Sequence, residues 1–398
     1  MMPLEQAQTA ILQAIRPVSG AETVALAQAH GRYCAEDLQA HVDHPGFDNS
    51  SMDGYAVNVG DARAHDWVLP VVGVSSCGDA PQMLAPGTAM RIYTGAPMPH
   101  GANAVAIQED VQLQDGRARI PRTLEAGENL RCRGEDFRAG EVLYGAGRKL
   151  RATDIALLAT AGAERLRVYR RPRVLVASTG NELVIPGHAL APGQIYESNG
   201  LTLAVHLRAA GAEVTDAGIV RDDVEALRAL LARGKDYDFV ITTGGASVGE
   251  RDLVKQVFAE FGTLQLWKVR IKPGKPLAFG HIGERTHFFA LPGNPVSTLV
   301  TYKLFIEPAL AVWHHGEPQQ WLLAATAVNS FRRQPGRTEF LRARLHAEQG
   351  RLKAEALHGQ GSHMVGPLRD TNGFIRVEAE SAGFAAGELV NVLPLGSW

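Results

Sequence analysis

Between Arg173 and Trp313 short apolar, β-branched runs alternate with amphipathic stretches, and this rhythm constrains the fold more than any other feature of the chain. The run "RVLVAST" suits a strand buried on both faces. "SNGLTLAVHLRAAG" reads as a helix ended by Gly211, and "AEVTDAGIV" as a strand. "DDVEALRALLARG" reads as a helix with Asp222 and Asp223 at its positive end. "YDFVITTGG" is a further strand, and "NPVSTLVTYKLFIEPAL" a helix with Asn294 as N-cap and Pro295 in its first turn. Such alternation predicts a mostly parallel sheet with helices on both faces.

The flanking zones have different textures. Leu4, Ala7, Ile11, Leu12 and Ile15 recur at helical spacing before Pro17, and a second short helix is expected over Val24 to Cys34. From Tyr55 to Arg138 short strands are punctuated by Gly and Pro, the clearest being "VQLQDGRARI", a hairpin turning at Asp115-Gly116. "ATDIALLATAG" is helical again, with Thr153 a candidate N-cap and Gly162 a candidate C-cap, so the β module reads as an insertion. Beyond Trp321, "LLAATAV", "TEFLRARL" and "RLKAEAL" point to a small C-terminal β domain. The fold class is therefore multidomain α/β plus β: a three-layer α/β domain, an inserted small β domain, an N-terminal helical segment and a C-terminal β domain.

Composition narrows the function. With 398 residues, 45% apolar and 21% charged, the chain suits several globular domains. A net charge of −2 leaves no global field for nucleic acid or a membrane surface, so any anion recognition is local. Cys34, Cys77 and Cys132 are odd in number and form no CxxC, which argues against a disulfide framework or zinc cage. The amphipathic, acidic N-terminus is unlike a signal peptide and no apolar run is long enough to span a bilayer, so the expected compartment is the cytoplasm.

Ligands of open α/β sheets bind beyond the carboxyl ends of the strands. Three such ends are rich here: "ASTGNEL" with Ser178 and Glu182, "TTGGASVGERD" with Gly244, Gly245, Ser247 and Asp252, and "LPGNPVST" with Pro292 opening a helix. Glycines and helix starts offer backbone N–H groups to an anion. Each loop alone reads equally well as a tight turn; three at one sheet end favour a ligand. "WKVRIKPGKP" adds Lys268, Arg270, Lys272 and Lys275, the first three on one strand face, either a solvated edge or an anion site. Asp48, Asp53, Glu135, Asp136, Glu182, Asp222 and Asp252 all fall in turns or at element ends, as caps or as carboxylates for a hydrated metal beside phosphate. Ser247 and Ser362 have no patterned base, and the two histidines of "HGQGSH" no third metal ligand. No P-loop or GxGxxG is present.

These stretches, with "PGFDNSSMDGYAV", "RIYTGAPMPHGANAVAIQED", "GENLRCRGEDF", "IVRDD" and "PGRTEF", run almost end to end in an order that closely resembles the molybdopterin molybdenumtransferase family. The resemblance implies an elongated homodimer with four domains per chain: residues 1–45 with 139–170, 46–138, 171–318 and 319–398. It implies that adenylylated molybdopterin and molybdate are the substrates, that Mg²⁺ assists, and that molybdenum cofactor and AMP are the products. Site residues carried over are Asp53, contributed across the dimer, with Thr94, Arg131, Asp136, Glu182, Asp222, Asp252, Lys268, Lys272, Lys275, Arg337 and Ser362. Asp222 and Asp252 would handle the metal and the adenylate phosphate. Lys272, Lys275, Arg337 and Ser362 would bind molybdate or the pterin phosphate. Gly244 and Gly245 would admit the nucleotide, and Ser178, Ser247 and Pro292 complete the expected substrate contacts. A molybdopterin adenylyltransferase and molybdoenzymes or cofactor carriers are the implied transient partners. Cys132 replaces an expected arginine in "RCRGED", thinning the charge there, and Ala246 replaces a β-branched residue.

Three other readings compete. The same domain set acts as a receptor-clustering scaffold in eukaryotic relatives, where it is fused to a further domain by a long linker. A related α/β fold adenylylates molybdopterin with ATP, for which the Asp53 and Arg131 regions would be superfluous. A tungstate-selective enzyme would share this sequence pattern.

Overall fold

The computed structural model describes residues 1–244, 253–318 and 322–396. Its centre is a six-stranded sheet, formed by the alternating segment from which a mostly parallel sheet is expected. We number its strands β1 (Arg173–Thr179), β2 (Glu213–Val220), β3 (Phe239–Thr243), β4 (Gly262–Lys268), β5 (Pro276–Ile282) and β6 (Thr286–Leu291). The spatial order is β2-β1-β3-β6-β5-β4. Neighbours from β2 to β6 are parallel, and β5 and β4 extend the sheet antiparallel.

Successive residues point to opposite faces, which makes the domain three-layered. Val174, Val176, Phe239, Ile241 and Phe289 pack with Leu203 and Leu207 of the helix Asn199–Ala209. Leu175, Ala177, Val240 and Phe288 face Leu227, Leu230 and Leu231 of the helix Val224–Gly234. The latter helix is capped by Asp223, whose carboxylate accepts from Ala226 N. The N-terminal helix Leu4–Ala14 buries Leu4, Ala7 and Ile11 in the first of these cores.

The expected helix over Val24–Cys34 does not form. Ala21–Ala25 is a strand paired antiparallel with Arg165–Tyr169, followed by a single 3₁₀ turn at Leu26–Gln28. Burial of Val24 opposite Leu166 outweighs the local helical spacing. The helix Ala152–Thr160 packs on this pair through Leu158. Its N-cap position is Arg151 rather than Thr153, and the Asp154 carboxylate accepts the Arg151 N–H at 2.8 Å.

The β module centres on a six-stranded sheet with its own core of Tyr55, Val57, Trp67, Leu69, Ala104 and Ala118. The hairpin at Asp115-Gly116 forms as expected, both residues taking positive φ, 50° and 72°. In the C-terminal domain, Thr338–Glu348 pairs with Arg351–Ala356 and with Gly373–Val377, and the remaining pairings through Leu323–Ala327 and Leu389–Pro394 close a small barrel.

"WKVRIKPGKP" joins two of these units. Lys268 ends β4 opposite Pro276, while Ile271–Lys272 pairs parallel with Thr338–Glu339 of the barrel. Val269 and Ile271 are buried, so Lys268 and Lys272 face outward and Arg270 is half-buried. Among the described residues no helix is long and apolar enough to cross a membrane.

Candidate functional site

Strand register sets the site. Ser178 of β1 lies opposite Thr243 of β3, and Thr243 opposite Leu291 of β6, so the three rich carboxyl ends stand side by side. Thr243 Oγ1 donates to Pro292 O at 3.1 Å, and Asn199 Nδ2 donates to Gly293 O at 2.6 Å. These bonds hold the Pro292–Asn294 turn over the end of β3. Gly244 has φ +88°, and a Cβ there would sit 2.2 Å from Thr179 O, so the crossing requires glycine. Gly245, Ser247 and Asp252 lie outside the described residues.

Ser178 is buried, and its Oγ donates to Glu197 Oε1 at 2.8 Å. The same carboxylate oxygen accepts Gly200 N at 2.6 Å at the start of the helix Asn199–Ala209. Glu197 was not among the expected residues. Its signal was an acidic residue just before a helix start, where a carboxylate satisfies free N–H groups.

Glu182 and Asp222 form the acidic side. Asp222 N donates to Asn181 Oδ1 at 3.3 Å, which ties the turn after β2 to the turn after β1. Burial, and then the nearby Glu182 charge, push the Asp222 carboxyl above the usual carboxylate value.

The cationic side comes from the junction with the barrel. Lys272 Nζ lies 2.8 Å from Glu339 Oε1, and Arg337 Nη1 donates to Ile271 O at 3.5 Å. Lys268 and Lys275 are exposed on either side of the Arg270–Gly274 stretch, and Val269 N donates to Lys275 O. Ser362 arrives from the barrel: its carbonyl accepts Val296 N at 3.1 Å and its Oγ accepts Asn294 Nδ2 at 2.9 Å. Asn294 thus spends its side chain on Ser362 rather than on capping its own helix.

Asp53, Thr94, Arg131 and Asp136 lie together in the β module. Asn49–Ser50 pairs with Leu130–Arg131, Gly95 N donates to Ser50 O, and Thr94 N and Oγ1 donate to Asp53 Oδ1 at 2.8 and 2.7 Å. The Thr94 amide and then its hydroxyl hold the Asp53 carboxyl below the usual range. Asp136 N donates to His44 O, and the neighbouring Arg133 pairs with Asp43 at 2.5 Å. The polar, turn-forming residues before Tyr55 therefore knit three turns into one surface. The module's core shares no residue with those of the α/β sheet.

Among the described residues no group of three or more His, Cys, Asp or Glu side chains could hold a metal ion. Family models described as the MoeA N-terminal region (domain I and II), the probable molybdopterin binding domain and the MoeA C-terminal region (domain IV) match residues 2–162, 175–312 and 324–395. The molybdopterin molybdenumtransferase of Haemophilus influenzae is 38% identical, over 99% of this chain and 98% of that protein. The chain belongs to the molybdopterin molybdenumtransferase family. A Bacillus subtilis molybdopterin molybdenumtransferase is 33% identical over 94% of this chain and 89% of that protein. A solved molybdopterin biosynthesis moeA protein from Pyrococcus horikoshii, 29% identical, superposes with a TM-score of 0.84 over 99% of this chain and all of that one. The membership agrees with the multidomain fold described above, and the family's end-to-end match includes both the β-module surface and the α/β strand ends.

Proposed function

We propose that this chain inserts molybdenum from molybdate into adenylylated molybdopterin, breaking the phosphoanhydride and releasing molybdenum cofactor and AMP. What carries the reading is the placement, at one end of a mostly parallel sheet, of backbone turns and a carboxylate pair, with Lys268, Lys272 and Lys275 at its junction with the barrel, which adds Arg337 and Ser362. Molybdate and the phosphate it must approach are both anionic, so the cations have to screen their repulsion. Lys272, Lys275 and Arg337 do this, with the Ser362 hydroxyl as a neutral donor. Gly244 opens the backbone to the nucleotide, and Ser178, its proton committed to Glu197, accepts from an N–H of the ligand.

Magnesium suits the acidic side, because the donors are carboxylate oxygens and burial, with the Glu182 charge after it, already raises Asp222. Asp222, with Asp252, would hold it, and the ion would supply positive charge to the leaving adenylate phosphate. Metal insertion into the dithiolene asks for no protein thiol, in keeping with free cysteines at positions 34, 77 and 132. We further propose a cytoplasmic homodimer in which Asp53, Thr94, Arg131 and Asp136 complete the partner's site, with transient docking of the adenylyltransferase and of cofactor acceptors.

The test is to incubate the protein with adenylylated molybdopterin, Mg²⁺ and molybdate and to follow AMP and cofactor. Molybdate-dependent AMP release is expected. AMP-linked product only from ATP and free molybdopterin would replace this reading with adenylylation, and no turnover in either regime would leave a scaffold.

A further inference from the structure

Arg342, in the strand Thr338–Glu348, is 0% exposed, yet every acceptor it contacts is a carbonyl oxygen. Its Nη1 donates to Met364 O at 2.8 Å, and its Nη2 to Gly361 O at 3.0 Å and to Gly359 O. Among the described residues no carboxylate pairs with it, and its Nε has no partner. Enclosing an ionised group without a counter-ion is costly, so the position is more than a convenient packing choice. The backbone of the same residue is clamped as well. Arg342 N donates to Gln360 Oε1, and Gln360 Nε2 returns to Arg342 O, both at 3.0 Å.

All these bonds converge on one loop, residues 359–364, and Ser362 is at its centre. That loop touches the α/β site at two points already described, Val296 N and Asn294 Nδ2. Because the Asn294 amide donates to Ser362 Oγ, an oxygen lone pair is occupied and the hydroxyl proton is left to donate. A guanidinium fork can grip carbonyls of residues 359, 361 and 364 at once, which a lysine's single ammonium on a flexible stem does less rigidly.

We propose that Arg342 is a positioning residue for the oxyanion end of the site: it fixes the 359–364 loop so that the Ser362 hydroxyl is aimed at molybdate. The buried positive charge beside that loop favours a dianion there. This rests on Ser362 being a molybdate contact, as the proposed function has it.

The experiment is equilibrium binding of sodium molybdate to the full chain, with AMP binding as a control for an intact nucleotide side. The proteins are wild type, Ser362→Ala, Arg342→Lys, Gln360→Ala and the double variant Arg342→Lys/Ser362→Ala. Each single change is expected to weaken molybdate roughly tenfold, the scale of one hydrogen bond to a charged group, with AMP affinity held. The double variant should bind no more weakly than the weaker single. Wild-type affinity in Arg342→Lys and Gln360→Ala, or losses that multiply in the double variant, would overturn the proposal. Wild-type affinity in Ser362→Ala would remove the Ser362 reading itself, and the two failures are thereby distinguishable. If Arg342→Lys does not fold, Gln360→Ala decides, since it loosens the same loop without disturbing the buried charge.

Discussion

Glu339 is shared between two cations from different parts of the chain: Oε1 lies 2.8 Å from Lys272 Nζ, and Oε2 lies 3.3 Å from Arg333 Nη1. The carboxylate side chain is 4% exposed and that of Arg333 7%, whereas that of Lys272 is 48% exposed. Glu339 therefore neutralises a buried guanidinium and, with its other oxygen, holds an open lysine in place at the site. Replacing Glu339 with Gln leaves Arg333 buried beside a neutral amide. We expect a loss of about 3 kcal/mol in a denaturant titration. An unchanged midpoint would show that Arg333 is satisfied by the backbone carbonyls of Arg337, Glu378, Ala379 and Ser381 to which it also donates.

The Asp53–Thr94 pair makes a pH prediction. A carboxyl held below its ordinary value contributes stability above the unfolded-state pKa, and this is lost as pH falls through the folded-state value. Thr94→Val keeps the backbone donor and removes the hydroxyl. The Asp53 midpoint, followed by carbon-13 NMR, should rise toward the ordinary carboxylate value. No movement would assign the whole effect to the amide.

Asp222 should behave in the opposite sense. Its raised carboxyl is penalised in the fold above the ordinary value, and the penalty is relieved as pH falls through the raised one. Glu182→Gln removes the neighbouring charge, so the Asp222 midpoint should fall while part of the burial effect remains. Mg²⁺ added to the wild type should lower it too. A midpoint indifferent to Mg²⁺ would count against a metal at Asp222.

If the β-module surface completes a neighbour's site, two inactive variants should rescue each other. Asp53→Ala mixed with Asp222→Ala, after subunit exchange, should recover about a quarter of the wild-type activity, because half the dimers are mixed and each has one intact site. Rescue near zero would place both residues in the same chain's site.

Much of this architecture is legible in the sequence where the determining contacts are local. The apolar run of β1 and the Asp223 cap announce themselves within a few residues, as does the Asp115-Gly116 turn. What is hidden depends on distant partners. Val24 becomes strand because Leu166 stands opposite it, which no local periodicity reveals. The lysine row of "WKVRIKPGKP" reads as one strand, yet its register passes from the α/β sheet to the barrel. Glu339, Glu197 and Arg342 look like ordinary surface charges in sequence; each is fixed by groups that only the fold brings near. Of the site residues, the strand-end glycines and carboxylates follow from fold logic. Thr94, Arg131 and Arg337 are reached only through the family resemblance, because nothing in their local pattern marks a ligand, and the local pattern of Asp53 shows a turn carboxylate without saying what it serves.

The most direct measurement is initial-rate AMP release from adenylylated molybdopterin as a function of molybdate, for wild type and Lys272→Ala side by side. The account predicts saturable, molybdate-dependent release by the wild type, and a half-saturating molybdate concentration at least roughly tenfold higher in the variant, as one charge-assisted contact implies. The same molybdate dependence in both proteins would contradict it, and would move the oxyanion away from the junction between the sheet and the barrel.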